Sequence, residues 1–235
     1  MERVNKLILV RPQKTRFHAE NGDLVVGRVT EIAGDKWKVD ISAKQEATLQ
    51  LSAVNLPGGV VRRRTDADVL NMRLLYEEGD LISSEVQSFY ADGTAALHTR
   101  SLKYGKLIGG QLVVVPPLLI KRFKHHFHHL EELEIDLILG CNGYVWVGAH
   151  TNIEESNGEA ARATPHVDGH VRQNICRIAN AVRLLARLLL PVHKEPIMDI
   201  YNTSIDAGVP IPAILDDPFA MLVVEKEAER RGLMV

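Results

Sequence analysis

Residues 22–29 have the sequence Gly22-Asp23-Leu24-Val25-Val26-Gly27-Arg28-Val29. The first four residues are repeated, with isoleucine in place of valine, as Gly79-Asp80-Leu81-Ile82. Each copy opens an apolar run with a period of two, and each is followed by a second such run. This is the pattern of paired β-strands. The spacing of five such strands over residues 22–107 predicts a small closed barrel.

The alternation also assigns side chains to the two faces of these strands. Val25, Gly27 and Val29 share one face of the first strand, which we take as the inner face. Because Gly27 lacks a side chain, it permits a sharp bend at a barrel corner. The outward residues are polar: Arg28, Lys36, Lys38, Gln50 and Ser52. Five short strands arranged this way form the oligonucleotide-binding (OB) barrel, whose outer face binds nucleic acid.

The strand sequences resemble those of S1 RNA-binding domains. The segments that carry the resemblance are Gly22–Val29, Trp37–Ile41, Leu49–Ser52, Gly79–Ile82 and Leu97–Arg100. The resemblance implies an S1 domain that binds RNA on the outer wall of a five-stranded barrel.

The outer face of this barrel is expected to be poor in aromatic side chains. S1 domains commonly carry exposed aromatic residues and a histidine where this sequence has Asp35, Lys38 and Gln50. Stacking on an aromatic ring is worth about 1–3 kcal/mol per base. Its absence shifts the expected binding toward phosphate contacts, which weaken as salt is added.

The composition restricts RNA binding to local patches. A chain of 235 residues accommodates one or two domains with real cores. Its formal net charge of −2 provides no global field that attracts nucleic acid. Basic residues cluster in three places, each equally compatible with an ordinary solvated surface. The clusters are Arg62–Arg64, then Arg100 with Lys103 and Lys106, then Lys121 with Arg122 and Lys124.

The cysteines and the hydropathy exclude several classes of protein. Cys141 and Cys176 are the two cysteines, and they lie far apart, so the sequence predicts neither a disulfide framework nor a zinc site. A reducing compartment fits best. No apolar run has the length of a membrane span, and the first residues lack the form of a signal peptide. We expect no cofactor and no membrane association.

The remaining segments mix helices with strands, which predicts the α+β class. Residues 65–76 are expected to form a helix within the barrel sequence, opened by a capping box of Thr65 and Asp68. Leu7–Val10 reads as one strand with nothing ahead of it to pair with. The elements expected after Gly105 are strands at Gln111–Val115, Ile135–Leu139 and Tyr144–Val147, and helices at 171–190 and 212–234.

A loop makes the resemblance more specific. Gly140-Cys141-Asn142-Gly143 follows the barrel and the basic stretch Thr99–Leu107. In this order the segments resemble the family of eukaryotic exosome cap subunits called ribosomal RNA processing protein four, from about Glu2 to Trp146. The domains that this resemblance implies are a remnant of an amino-terminal β domain at 1–21, an S1 (OB-fold) RNA-binding domain at 22–107, and a KH-like α+β domain with a C-terminal helical extension at 108–235.

The Gly140–Gly143 loop admits two interpretations. In a KH domain, a Gly-x-x-Gly turn between two helices presents backbone amides to the nucleic acid backbone. Here the flanking segments are predicted strands, and Asn142-Gly143 is a pair that tolerates the positive φ of hairpin turns. We therefore favour a structural role for the loop over phosphate binding.

The run His125-His126-Phe127-His128-His129 suggests a metal hypothesis, because histidine is a frequent ligand of zinc, copper and nickel. On a strand these histidines fall on opposite faces, and no cysteine or carboxylate clearly completes a tetrahedral set, although Glu131, Glu132 and Glu134 are near. We expect an exposed histidine-rich strand or turn and no metal site.

The resemblance implies a noncatalytic RNA-binding subunit that contributes to RNA access and complex assembly in 3′-to-5′ RNA processing and degradation. The implied partners are single-stranded RNA, ring subunits that resemble RNase PH, and sibling cap subunits. The implied location is the nucleus and nucleolus, and also the cytoplasm. The residues predicted to contact RNA are Lys36, Lys38, Gln50, Arg62, Arg63, Arg64, Arg100, Lys103 and Lys106.

Two other functions remain open at this point. One is a metal-dependent hydrolase that uses the His125–His129 run and the adjacent acids. The other is a free-standing S1/KH RNA-binding regulator that acts without a ring. The sequence contains no known nucleophile elbow and no P-loop, so we expect no catalysis.

Overall fold

The computed structural model describes residues 2–4, 6–9, 15–55, 65–101, 103–150 and 167–230. Its first element is an antiparallel hairpin of β1 (Glu2–Val4) and β2 (Leu7–Leu9). The prediction that the Leu7–Val10 run has nothing ahead of it to pair with is wrong, because β1 is its partner. Strand β1 contains the charged residues Glu2 and Arg3, so it lacks the apolar run that predicts a strand.

A closed barrel follows the hairpin. Its strands are β3 (Leu24–Ala33), β4 (Lys36–Asp40), β5 (Ala47–Val54), β6 (Leu81–Phe89) and β7 (Ala95–Thr99). They are ordered β3-β4-β5-β7-β6, and β6 pairs back with β3, which closes the sheet. The pair β5–β7 is parallel, and the other pairs are antiparallel. The short strand β8 (Gly105–Lys106) pairs antiparallel with the start of β6. The predicted barrel is confirmed.

The inner wall is apolar, as the alternation predicts. The buried inward side chains include Val25, Val29, Trp37, Val39, Ile41, Leu49, Ile82 and Leu97. Gly27 is required where β3 approaches β4, because a Cβ at this position would lie 2.4 Å from Val39 Cγ1.

Two short helices between β5 and β6 replace the single helix expected at 65–76. They are α1 (Asp66–Leu70) and α2 (Met72–Leu75). The predicted capping contact is present, since the Thr65 amide donates to Asp68 Oδ2 at 2.8 Å. The segment then caps the barrel, because Trp37 Nε1 donates to the Tyr76 carbonyl at 3.0 Å.

The second domain is a four-stranded antiparallel sheet with helices on one face. Its strands are β9 (Gly110–Val114), β10 (Phe127–Leu130), β11 (Ile135–Leu139) and β12 (Tyr144–Ala149), in the order β10-β11-β12-β9. Its helices are α3 (Gly169–Arg187), α4 (Lys194–Asp206) and α5 (Asp217–Arg230). The α+β class and the three predicted strands are confirmed. Helix α4 was not predicted.

The two faces of this sheet have different partners. On one face, Leu137, Val145 and Val147 share a core with the buried side of α3. On the other, Ile138 and Trp146 pack with Leu24 and Val26 of the barrel, the latter on its outer wall. Within the described part of the chain, no helix combines the length and the apolar composition that a membrane crossing requires.

Candidate nucleic-acid interface

A polar platform lies on the outer wall of the barrel. Lys36 on β4 is directly opposite Gln50 on β5, and both are exposed. Gln50 Nε2 donates to the Tyr90 hydroxyl at 2.9 Å, and Ser52 Oγ donates to Gln50 Oε1 at 3.3 Å. Two of the residues predicted to contact RNA are therefore brought together, and a tyrosine joins them.

This wall, which the sequence predicts to be poor in aromatic side chains, carries one exposed tyrosine. Tyr90 is 40% exposed, whereas Phe89, which is 42% exposed, is paired with the buried Ala95 and therefore lies on the inner side at the end of the barrel. Strict alternation from Ile82 would turn Tyr90 inward, but the register between β6 and β7 shifts between Val86 and Ser88. Such a bulge reverses the faces of the residues that follow it. The bulge accounts for the outward tyrosine, and nothing in the sequence marks it.

The charge of Lys36 acts at the turn that follows Tyr90. The pKa of the Asp92 carboxyl lies below its usual range, mainly because the Thr94 amide donates to it at 2.9 Å, and Lys36 adds to this effect. Lys36 therefore lies near the turn that follows the exposed Tyr90. We call Lys36, Gln50, Ser52 and Tyr90 the barrel-face site.

Two other predicted lysines are held by carboxylates. Lys38 Nζ lies 2.6 Å from Glu31 Oε2, and this hydrogen bond raises the pKa of Lys38. Lys106 Nζ lies 2.6 Å from Asp80 Oδ2. A phosphate would have to compete with these carboxylates, so each lysine is a weaker candidate than Lys36. Their role in RNA binding stays a prediction.

Lys103 lies in a cleft between the barrel and the second domain. The cleft has a volume of about 460 Å³. The Lys103 ammonium sits 4.8 Å from the centroid of the Tyr104 ring and 5.6 Å from that of Phe127, within the range of cation–π contact. Phe123, 41% exposed, and Lys124 also line the cleft. Cations and rings thus occur together here too.

Four arginines complete the set of predicted RNA contacts. Arg100 is exposed at the end of β7. Arg62, Arg63 and Arg64 lie outside the described residues, and their role stays a prediction.

Arg122, from the third basic cluster, links the two domains. Its Nε and Nη2 atoms donate to the two carboxylate oxygens of Asp23 at 2.7 and 3.0 Å, and Nη1 lies 3.2 Å from Glu20 Oε1. Asp23 is only 5% exposed. The hydrogen bond to Asp23 raises the pKa of Arg122. This arginine therefore neutralises a buried carboxylate, which makes it a structural residue.

The Gly140–Gly143 loop is buried and joins β11 to β12. Asn142 Nδ2 donates to the carbonyls of Val26 and Ile41 at 2.7 and 3.0 Å, and its Oδ1 accepts from the Val26 amide at 3.3 Å. The loop is a clamp between the domains. These contacts agree with the structural interpretation and leave no open face for a phosphate.

Cys141 in this loop is not a candidate nucleophile. Its amide donates to the Leu24 carbonyl at 2.8 Å, and burial raises the pKa of its thiol to about 11. Since the thiolate is the reactive form, the thiol is nearly inert near neutral pH.

The histidine run does not converge on one point. The Phe123 amide donates to His126 Nε2 at 3.1 Å, which leaves Nδ1 to donate to the Leu139 carbonyl. The pKa of His128 is lowered, first by burial and then by Lys194 of α4. His129 lies on the other face of β10, near Asp136. The hydrolase centred on the whole run is therefore not supported.

Comparisons with known proteins match the two domains separately. Residues 16–88 match the family model described as "RRP4, S1 domain", and residues 110–153 match the model described as "KH domain". The predicted S1 barrel followed by a KH-like domain is thereby confirmed.

Relatives cover most of the chain. The chain is 44% identical to the exosome complex component RRP4 homolog of Arabidopsis thaliana, over 98% of this chain and 76% of that protein. It is 46% identical to exosome complex component RRP4 of Mus musculus, over 87% and 70% of the two chains. It is 38% identical to the RRP4 component of Saccharomyces cerevisiae, over 87% and 67%.

Proposed function

The chain belongs to the RRP4 family of exosome complex components, and from that membership we propose that it is a noncatalytic RNA-binding cap subunit of an exosome. It contributes to RNA access and to assembly in 3′-to-5′ RNA processing and degradation. Its proposed partners are single-stranded RNA, ring subunits that resemble RNase PH, and sibling cap subunits. We place it in the nucleus and nucleolus, and also in the cytoplasm.

The barrel-face site is the observation that carries the RNA-binding part of this proposal. It combines an exposed ammonium and two hydrogen-bonding side chains on adjacent strands with one exposed tyrosine ring after β6. Cations bind the phosphate backbone, and aromatic faces accept stacked bases without regard to their sequence. The site is thus suited to single-stranded RNA and to weak sequence preference.

The hairpin β1–β2 supports the assembly part. It forms a two-stranded sheet of its own, and Ile8 is 72% exposed. An isolated two-stranded hairpin is marginally stable in water. We propose that the hairpin and the KH-like domain dock on the ring subunits, which would cover this side chain.

Salt titrations of RNA affinity test the barrel-face site. Lys36→Ala removes one phosphate contact, so the slope of log K against log salt should become shallower by about 0.7. Tyr90→Ala removes a stacking platform, so the affinity should fall by a factor that corresponds to about 1–3 kcal/mol, with the slope unchanged. Fluorescence anisotropy with a labelled single-stranded RNA measures both quantities.

Two further variants serve as controls. Lys226→Ala, on α5 of the KH-like domain, should change neither affinity nor slope. Lys38→Ala should change the slope less than Lys36→Ala, because Glu31 already pairs with that ammonium. An unchanged slope for Lys36→Ala together with unchanged affinity for Tyr90→Ala would exclude the barrel-face site as the RNA contact.

Purification from cells tests the assembly part. A tagged chain should co-purify with RNase PH-like subunits, and the purified chain alone should leave a labelled RNA at its original length in the presence of Mg²⁺. Recovery of the chain without ring subunits would instead favour the free-standing regulator. Shortening of the RNA would overturn the noncatalytic assignment.

A further inference from the structure

The sheet register brings three side chains onto one face of the KH-like domain. His129 on β10 is directly opposite Asp136 on β11, and Asp136 is opposite Gly148 on β12. His150 follows Gly148 by two residues, so it lies diagonally across from Asp136 on the same face. Gly148 has no side chain to stand between them. The three residues are spread over 22 positions of the sequence, so no local sequence motif indicates that they lie together.

The distances show that the three side chains converge. His129 Nδ1 lies 2.8 Å from Asp136 Oδ1, and His150 Nδ1 lies 2.9 Å from Asp136 Oδ2. The two imidazole centroids are 4.0 Å apart. One ligand atom from each residue can be chosen so that all three lie within 4.8 Å of one another. The side chains are 31–39% exposed, so an ion reaches them from solvent without opening the core.

We propose that His129, Asp136 and His150 bind a divalent transition-metal ion of the zinc class. Zinc accepts imidazole nitrogen and carboxylate oxygen at about 2.0–2.2 Å in a tetrahedral arrangement. Ligand atoms around such an ion are about 3.3–3.6 Å apart, by the geometry of a tetrahedron with those bond lengths. Small rotations of the three side chains open the observed distances to this range.

The donor set selects among metals. Two imidazole nitrogens suit zinc, copper and nickel, whereas magnesium and calcium prefer oxygen ligands throughout. Three protein ligands leave the fourth position to water or to another donor. Because the ligands come from β10, β11 and the residue after β12, a bound ion joins three consecutive strands of the sheet. This site shares no residue with the barrel-face site, so its test is independent of RNA binding.

Calorimetric titration of the untagged, metal-depleted full chain with zinc chloride tests the site. We expect one equivalent to bind, and thermal unfolding to move to higher temperature as zinc is added, since a ligand of the native state stabilises it. Asp136→Asn, His129→Ala and His150→Ala should each weaken zinc binding by at least about tenfold. Loss of a residue that only hydrogen-bonds to a metal ligand already lowers metal affinity about 10–100-fold. Magnesium chloride should produce no binding heat.

Matched variants separate this site from adventitious binding. His125→Ala removes an exposed histidine of the same run, and Cys176→Ser removes the more exposed thiol; both should bind zinc like the parent chain. Each ligand variant should unfold near the parent temperature without zinc, which shows that it folds. Absence of zinc binding, or binding that survives all three ligand substitutions, would overturn the proposal and leave a hydrogen-bonded triad.

Discussion

Asn142 shows how much one buried side chain contributes to this molecule. It is 1% exposed, and its amide satisfies two carbonyls and one amide of the barrel backbone. Asn142→Ala leaves these backbone groups buried without partners, and each such group costs about 1–3 kcal/mol. Partial relaxation reduces the sum, so we expect the free energy of unfolding to fall by about 2–4 kcal/mol, measured by urea denaturation.

Asn202→Ala is the matched control. Asn202 is exposed on α4, and alanine has the higher helix propensity, so its effect should stay within about 0.5 kcal/mol of zero. Equal effects of the two substitutions would show that the Asn142 contacts do not stabilise the fold.

At the scale of elements, the β11–β12 turn depends on one glycine. Gly143 has φ +87°, and a Cβ there would lie 2.2 Å from the Val115 carbonyl oxygen. Gly34, in the β3–β4 turn, has φ +63° and open space around it. Gly34→Ala should therefore lower the free energy of unfolding only by the energy of holding alanine in the left-handed conformation, about 1–2 kcal/mol. Gly143→Ala adds a steric overlap, so we expect it to cost at least about 1 kcal/mol more.

Thermal and urea unfolding of both variants measure this difference. If the two alanine variants were equally stable, backbone conformation alone would explain the glycine, and the close approach of Val115 would be unimportant.

The elements also show where sequence reasoning works. The barrel strands, α3 and the β11–β12 hairpin were predictable, because a period of two, a period of 3.6 and an Asn-Gly turn are local patterns. The sequence does not predict helix α4, because Pro196 lies in its first turn, where proline is tolerated but is usually taken to end a helix. The barrel-face site was half predicted: Lys36 and Gln50 follow from alternation, whereas Tyr90 depends on a bulge. The His129–Asp136–His150 group could not be predicted, because it depends on how β10, β11 and β12 pair, and no single segment specifies that register.

At the scale of the whole molecule, the barrel and the KH-like domain should unfold as one unit. Their shared apolar cluster, the Asn142 clamp and the Arg122–Asp23 pair all cross the boundary. Hydrogen exchange followed by mass spectrometry should show β3 and α3 losing protection at the same urea concentration. Loss of protection in two separate steps would contradict this coupling.

Arg122→Ala measures the contribution of the boundary. It leaves the buried Asp23 carboxylate without its guanidinium, so both domains should lose about 1.5–3 kcal/mol of stability together. Arg73→Ala is the matched control, because its pair with Glu78 is exposed and should contribute at most about 1 kcal/mol. A loss confined to one domain would show that the pair acts locally.

The clamp also determines how this chain can be divided. A fragment that stops after β8 would keep every strand of the barrel yet lose Asn142, the side chain that completes the backbone hydrogen bonding of β3 and of Ile41 beyond β4. The barrel is therefore not a transplantable unit. Anyone who grafts it onto another protein must carry the Gly140–Gly143 tetrapeptide along, or redesign the wall that it closes.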